Sequence, residues 1–230
     1  DTVRDPQGFE DSYGTVSMLR LCIDDHEDLI ATDQDVEEIC YLMERAKWLD
    51  DQVVTFGLEK HPEVGIQKAE ILNAFAAMLH GDLAASNPHT FASVKSINTL
   101  LSSSPHFIQL GDNIAQLFLD RFRPQSLGGH IDDKEFVERG NQIRDKVNEL
   151  HFAAAKELLS KMLDVCQYTL KTNLYHKDRH ALAFRVDPCL LVDAESDQPM
   201  PYGFMFAVGR NFQFFHNRFR DIARGGLRVV

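Results

Sequence analysis

Residues 214–228 hold four arginines (Arg218, Arg220, Arg224 and Arg228), three phenylalanines and the pair Gly225–Gly226. A guanidinium is a planar fork of N–H donors that grips carboxylate or phosphate at two points. Adjacent glycines let backbone approach a ligand closely, or adopt positive φ. The combination reads as an anion-recognition element. Three uses fit these residue types. One is a positively charged sheet face set against acidic surface elsewhere. Another is recognition of a small anion. The third is nucleic-acid binding, with phenylalanine stacking beside arginine–phosphate contacts.

Other groupings carry less chemistry. His176 and His180 flank Asp178 at a spacing that suits zinc on a helix. They fall where helix gives way to strand, with no third ligand nearby, so a solvated loop is the simpler reading. The acidic run Asp24–Asp28 lacks the spacing of a calcium loop. No dinucleotide-binding glycine fingerprint, phosphate-binding loop or serine elbow is present. The chain has 230 residues and a net charge of −11, which disfavours a nucleic-acid partner for the whole. No apolar run approaches the ~20 residues of a membrane span. Cys22, Cys40, Cys166 and Cys189 are widely spaced and form no C-x-x-C pair, so reduced, buried thiols in an intracellular protein are expected. A start at Asp1 without methionine and an end on Val229–Val230 suggest part of a longer chain.

The elements that must position the arginines divide into two parts. The expected class is α+β: a mostly helical region over 1–172, then the start of a small sheet over 173–230. Residues 16–23 suit a strand. Thr32 and Asp35 suggest a capping box before Val36, Ile39, Cys40, Met43, Ala46 and Leu49 at helical spacing. Residues 65–80 predict a helix stopped at Gly81. Asn87–Pro88 reads as a helix start, with Phe91, Val94, Ile97, Leu100 and Leu101 on one side. Pro105 breaks that helix, and another runs through Ile114, Leu117, Phe118 and Phe122 to Pro124. Residues 132–172 form one long helix or two with a kink at Gly140. Trp48 and the methionines are expected in the core. Beyond Asn173, residues 181–187, 202–208 and 212–219 alternate as strands, with a hairpin turn at 209–211.

The run FHNRFRDIARGGLR at 215–228 resembles the large NAD-specific glutamate dehydrogenases of fungi and protists. LKTN at 170–173, ALAFRVDP at 181–188 and PYGFMFAVG at 201–209 are similar to that family in order and spacing. The likeness is strong from Leu170 to Arg228 and faint before Cys166. It implies oxidative deamination of glutamate to 2-oxoglutarate and ammonia, with hydride passing to NAD. In the smaller glutamate dehydrogenases the matching tract is Lys-Gly-Gly-[Leu/Ile]-Arg, and its lysine binds a substrate carboxylate. Arg224 stands at that lysine, so the resemblance assigns substrate binding to Arg224, Gly225, Gly226 and, more weakly, Arg228. Arginine keeps its proton, so no acid–base role goes with it. Arg218 and Arg220 become strand-face or subunit-contact charges.

The family's catalytic lysine, general-acid aspartate and dinucleotide domain follow this motif, outside residues 1–230. The resemblance therefore implies a span inactive alone, NAD held elsewhere, a homo-oligomeric parent in mitochondrion or cytosol, and no nucleic-acid or membrane partner. A helical oligomerisation or regulatory module without catalysis of its own is the alternative.

Overall fold

The computed structural model describes residues 2–3, 14–15, 40, 43–176, 178–191, 203–218 and 223–229. The expected strand at 16–23, the capping box at Thr32 and the acidic run at 24–28 lie outside them. The chain divides into two units, Asp1–Tyr41 and Leu42–Val230. Of the first, the described part is an antiparallel pair, β1 (Thr2–Val3) with β2 (Gly14–Thr15).

The second unit is α+β. Residues 43–46 are helical, and Asp50 caps α1 (Asp51–Val54) by accepting from the backbone N–H of Gln52. α1 continues as a π-helix, Thr55–Lys60. α2 (Gly65–Ser86) is the central helix. Ile71, Leu72, Ala74, Phe75, Ala76 and Leu83 are all buried along it. Apolar character on nearly every side marks a helix surrounded by others. Gly81 does not stop it: the helix runs five residues further to Ser86, because burying Leu83 outweighs one glycine's propensity cost of about 1 kcal/mol.

Asn87–Pro88 does not start a helix either. The Asn87 side chain accepts from Thr90 N–H and closes a turn. The next helix, α3 (Val94–Leu101), is capped six residues on by a reciprocal Ser93–Ser96 box. Pro105 opens α4 (Pro105–Phe122) rather than merely closing α3. Ser104 is its cap, and proline at the first position gives up only an N–H with no intrahelical partner. α5 (Asp133–Asn148) and α6 (Ala153–Tyr168) are separate helices, broken at 149–152 and not kinked at Gly140. Gly140 is instead a packing residue: a Cβ there would lie 2.7 Å from Gln167 Nε2.

The sheet begins at β3 (Thr169–Thr172), directly from the end of α6. β4 (Leu182–Val186), β5 (Gly203–Gly209), β6 (Phe212–Arg218) and β7 (Ala223–Val229) follow in an antiparallel meander of order β3-β4-β5-β6-β7. Asn173 closes the β3–β4 connection, donating to Ala181 O at 3.0 Å and accepting from Ala183 N at 2.8 Å. Arg210 and Asn211 form the two-residue β5–β6 turn that the sequence predicts. The Arg210 guanidinium pairs with Asp51 at 2.9 Å and donates to Lys47 O, so the hairpin tip is tied to the start of the helical layer.

Helices and sheet share one core. Phe75 of α2, Phe118 of α4 and Phe184 of β4 meet pairwise with ring centroids 5.3–5.8 Å apart. Edge-on aromatic pairs at such distances add to their area burial. Met162 is fully buried, but Met43 and Met205 are exposed, contrary to the expectation that all methionines are core.

Candidate functional site

β7 carries all four residues that the resemblance singles out, Arg224, Gly225, Gly226 and Arg228. It is the terminal strand of the described sheet and pairs with β6 throughout. Arg224, Gly226 and Arg228 stand at alternate positions, in register with Asn217, Phe215 and Gln213. Those three lie in register with Phe204, Phe206 and Val208 of β5, and these with Val186, Phe184 and Leu182 of β4. The rows that hold the two arginines are therefore the rows that pack on the helices further across the sheet.

The helical cover stops before β6. Phe184 is 1% exposed and Phe206 6%, whereas Phe215, next in the same row, is 47% exposed. A sheet face that is core at one end and open at the other presents β6 and β7 to whatever lies above them.

The two glycines differ. A Cβ on Gly225 would sit 2.6 Å from Phe215 O and 3.2 Å from His216 Cα. Its neighbour is backbone, which cannot step aside without disturbing the ladder, so Gly225 is required by strand packing. A Cβ on Gly226 would meet only the Phe215 ring, at 3.7 Å, an ordinary contact. The fold leaves Gly226 room for a side chain, so strand packing alone does not require glycine there.

Asn217 joins this row, and sequence reasoning missed it. Its Oδ1 is buried and accepts no hydrogen bond among the described residues. It stands directly across from Arg224 in register. Its neighbour His216 faces the opposite row and stacks with Phe214, centroids 6.5 Å apart. Arg218 is exposed at the end of β6. Arg220 lies outside the described residues.

A second polar centre is buried in the helical layer. Glu70 of α2 accepts from Arg45 Nη2 and, at 2.5 Å, from Arg179 Nη2. Arg45 Nη1 also donates to Arg179 O at 2.5 Å. All three side chains are at least 94% buried. The triad joins residues 43–46, α2 and the β3–β4 connection, and it carries one net positive charge. Next to it in sequence, Trp48 stacks on His180 at 3.8 Å. His180 is thus engaged with an aromatic ring, and no group of three or more possible metal ligands forms among the described residues. Among them, too, no helix is long and apolar enough to cross a membrane.

The cysteines are not uniformly buried. Cys40 and Cys189 are exposed, and Cys22 lies outside the described residues. Cys166 is fully buried, and desolvation pushes its thiol far above the ordinary value, with the Arg121 charge opposing weakly. At the mouth of β4, Asp187 accepts from Cys189 N–H at 2.9 Å, which lowers its carboxyl.

This strand pattern, with its arginine–glycine edge, is matched by known proteins. Residues 142–230 match the family of the bacterial NAD-glutamate dehydrogenase catalytic domain. The match starts within α5 and takes in α6 and the whole sheet, so it reaches further toward the N-terminus than the likeness visible from Leu170. The NAD-specific glutamate dehydrogenase of Saccharomyces cerevisiae is 45% identical over 74 residues, covering 32% of this chain and 7% of that protein. Glutamate dehydrogenase 2 of Dictyostelium discoideum is 33% identical over 112 residues, 48% of this chain and 11% of its own. A probable NAD-specific glutamate dehydrogenase of Schizosaccharomyces pombe is 41% identical over 63 residues, 27% of this chain and 6% of its own. The resemblance to NAD-specific glutamate dehydrogenases is thus shown over part of the chain. The chain spans about a tenth or less of the length of these relatives.

Proposed function

We propose that this chain is part of an NAD-dependent glutamate dehydrogenase, which converts L-glutamate to 2-oxoglutarate and ammonia, and that β7 forms one wall of its glutamate site. The observation that carries the reading is the placement of Arg224, Gly226 and Arg228 on consecutive rows of a sheet face whose helical cover has ended. The Arg224 fork holds a substrate carboxylate at two points, and its permanent charge makes it a binding group, not a proton carrier. Gly226 lets the β7 backbone come within hydrogen-bonding reach of the substrate. Arg228 pins the strand through an ion pair.

NAD would supply the hydride acceptor for this conversion. The described residues do not suit a dinucleotide. All five strands of the larger sheet are antiparallel, and none runs through a glycine turn into a helix N-terminus, the arrangement that cradles a pyrophosphate. We infer that NAD is held outside residues 1–230, that this span has no turnover alone, and that the parent is an intracellular homo-oligomer. The helices serve it as scaffold.

In the full-length enzyme, Arg224→Ala should raise KM for glutamate by at least about tenfold, the worth of one lost charge-assisted pair, and leave NAD affinity near normal. Unchanged glutamate kinetics would remove Arg224 from the site. Glutamate-dependent NADH formation by the isolated 230 residues would overturn the inactive-span reading.

A further inference from the structure

A cavity of about 340 Å³ opens in the helical layer and is lined by no residue of β7. Its wall on one side is α1 and the π-helix, and on the other α3. Gln52, Thr55, Lys60, Lys95, Asn98 and Thr99 line it, with Phe56 at its base. π-helices are rare and often sit at functional sites. This one is pressed onto α2 by Gly57, where a Cβ would lie 2.9 Å from both Gly65 O and Ala69 Cβ. Its other side is left facing the cavity. Next to Phe56, a tight gap lined by Val53, Ala69 and Leu72 together with the amides Gln52, Asn73 and Asn98 has no room for water.

The charges lining this cavity do not cancel. Asp51 is answered by Arg210 at 2.9 Å. The ion-paired lysines among the described residues are Lys68 and Lys161, so Lys60 and Lys95 form no ion pair there. Two ammonium groups, the Thr55 hydroxyl and the amides of Gln52 and Asn98 surround a space of small-ligand size, while the Thr99 and Ser102 hydroxyls already donate to Lys95 O and Asn98 O. Asn98 Nδ2 already donates to Asn73 Oδ1 at 2.9 Å, which fixes that side chain's orientation.

We infer that this cavity binds a small phosphate monoester: its dianionic head between Lys60 and Lys95, its apolar body against Phe56. A phosphate dianion suits two ammonium point charges, and the Thr55 hydroxyl supplies a further donor. The site shares no residue with β7, so it stands or falls independently of the glutamate reading.

The test is titration of the 230-residue chain with phenyl phosphate, followed by calorimetry and by backbone amide shifts at Phe56 and Thr99. Saturable binding is expected. It should weaken by about a hundredfold or more in Lys60→Met/Lys95→Met, which removes two charge-assisted contacts. Added salt should weaken it too. Both lysines are exposed, so the variant should keep its melting temperature. Thr99→Trp fills the cavity without changing its charge and should also abolish binding. Benzoate, with the same ring and one charge, should bind much more weakly. No saturable binding of phenyl phosphate, equal binding by the double variant, or equal binding of benzoate would each overturn the inference.

Discussion

Gly225 and Gly226 are neighbours on one strand, yet alanine should act on them with opposite signs. At Gly225 the new Cβ lies 2.6 Å from Phe215 O, where a comfortable carbon–oxygen contact is about 3.3 Å. The overlap of about 0.7 Å falls on backbone that is already bonded into the ladder, so β6 and β7 must part. Overpacking of this kind costs about 1–3 kcal/mol. At Gly226 the nearest atom is Phe215 Cε1 at 3.7 Å, and the residue does not have positive φ. Alanine there removes freedom from the unfolded chain without strain, worth about 0.4–1 kcal/mol of added stability. At about 2–4 °C per kcal/mol for a chain of this size, the two variants should melt some 3–16 °C apart. Scanning calorimetry of the 230-residue chain measures the gap. In the full-length enzyme Gly226→Ala should raise KM for glutamate while the protein stays folded, because the methyl group occupies the backbone's line of approach. Two results would refute this reasoning. Equal destabilisation by both variants would show that the crowding at Gly225 is not the distinction. Wild-type glutamate kinetics in Gly226→Ala would show that no ligand comes close there.

Glu70→Gln leaves two guanidinium groups buried beside a neutral amide, and should cost about 3–5 kcal/mol in urea denaturation. Replacing Arg45, Glu70 and Arg179 together with methionine should recover most of that, and failure to do so would mean that the triad's geometry matters beyond its charge. Cys166 should resist iodoacetamide until the chain unfolds, while exposed Cys40 is modified in the folded protein and Cys189, whose thiol the Asp187 carboxylate holds above its ordinary value, reacts more slowly than Cys40; peptide mass spectrometry reads the order. Asp187 has a carboxyl lowered by the Cys189 N–H, so its contribution is present above the ordinary aspartate range and fades as pH falls through the lowered folded value. The melting-temperature gap between wild type and Asp187→Asn should therefore close on acidification, and a gap that widens would contradict that sign.

The helices and the sheet were legible where period and turn chemistry agreed. Phe184, Phe206 and Val186 alternate with exposed or half-exposed partners, and Arg210–Asn211 marks its hairpin. Glycine and proline misled where tertiary packing took precedence. Gly81 and Gly140 look like a stop and a kink, but both lie inside continuous helices. Pro88 sits in a turn that Asn87 closes, and the true cap, Ser93, is hidden in an ordinary polar stretch. Of the candidate site, the arginines and glycines were visible as residue types, and their shared rows were not. Asn217 has no sequence signal beyond its place between His216 and Arg218. The Arg45–Glu70–Arg179 triad joins positions 25 and 109 residues apart, a pairing that no local pattern announces.

What holds the β7 rows in place is therefore remote from β7. Register fixes Arg224 against Asn217, Asn217 against Phe204, and Phe204 against Val186. The β4 end of that chain is clamped by the Phe75–Phe118–Phe184 cluster, and the loop leading into β4 by the Glu70 triad. The far end of the β5–β6 hairpin is clamped by Arg210 on Asp51. A one-residue slip anywhere along the ladder would exchange the two faces and take Arg224 off the row it shares with Asn217. The helices thus have a physical task in the proposed site although none of their side chains stands in it: they bury enough of β4 and β5 to make a slip prohibitively costly, and so hold the edge strand to one register.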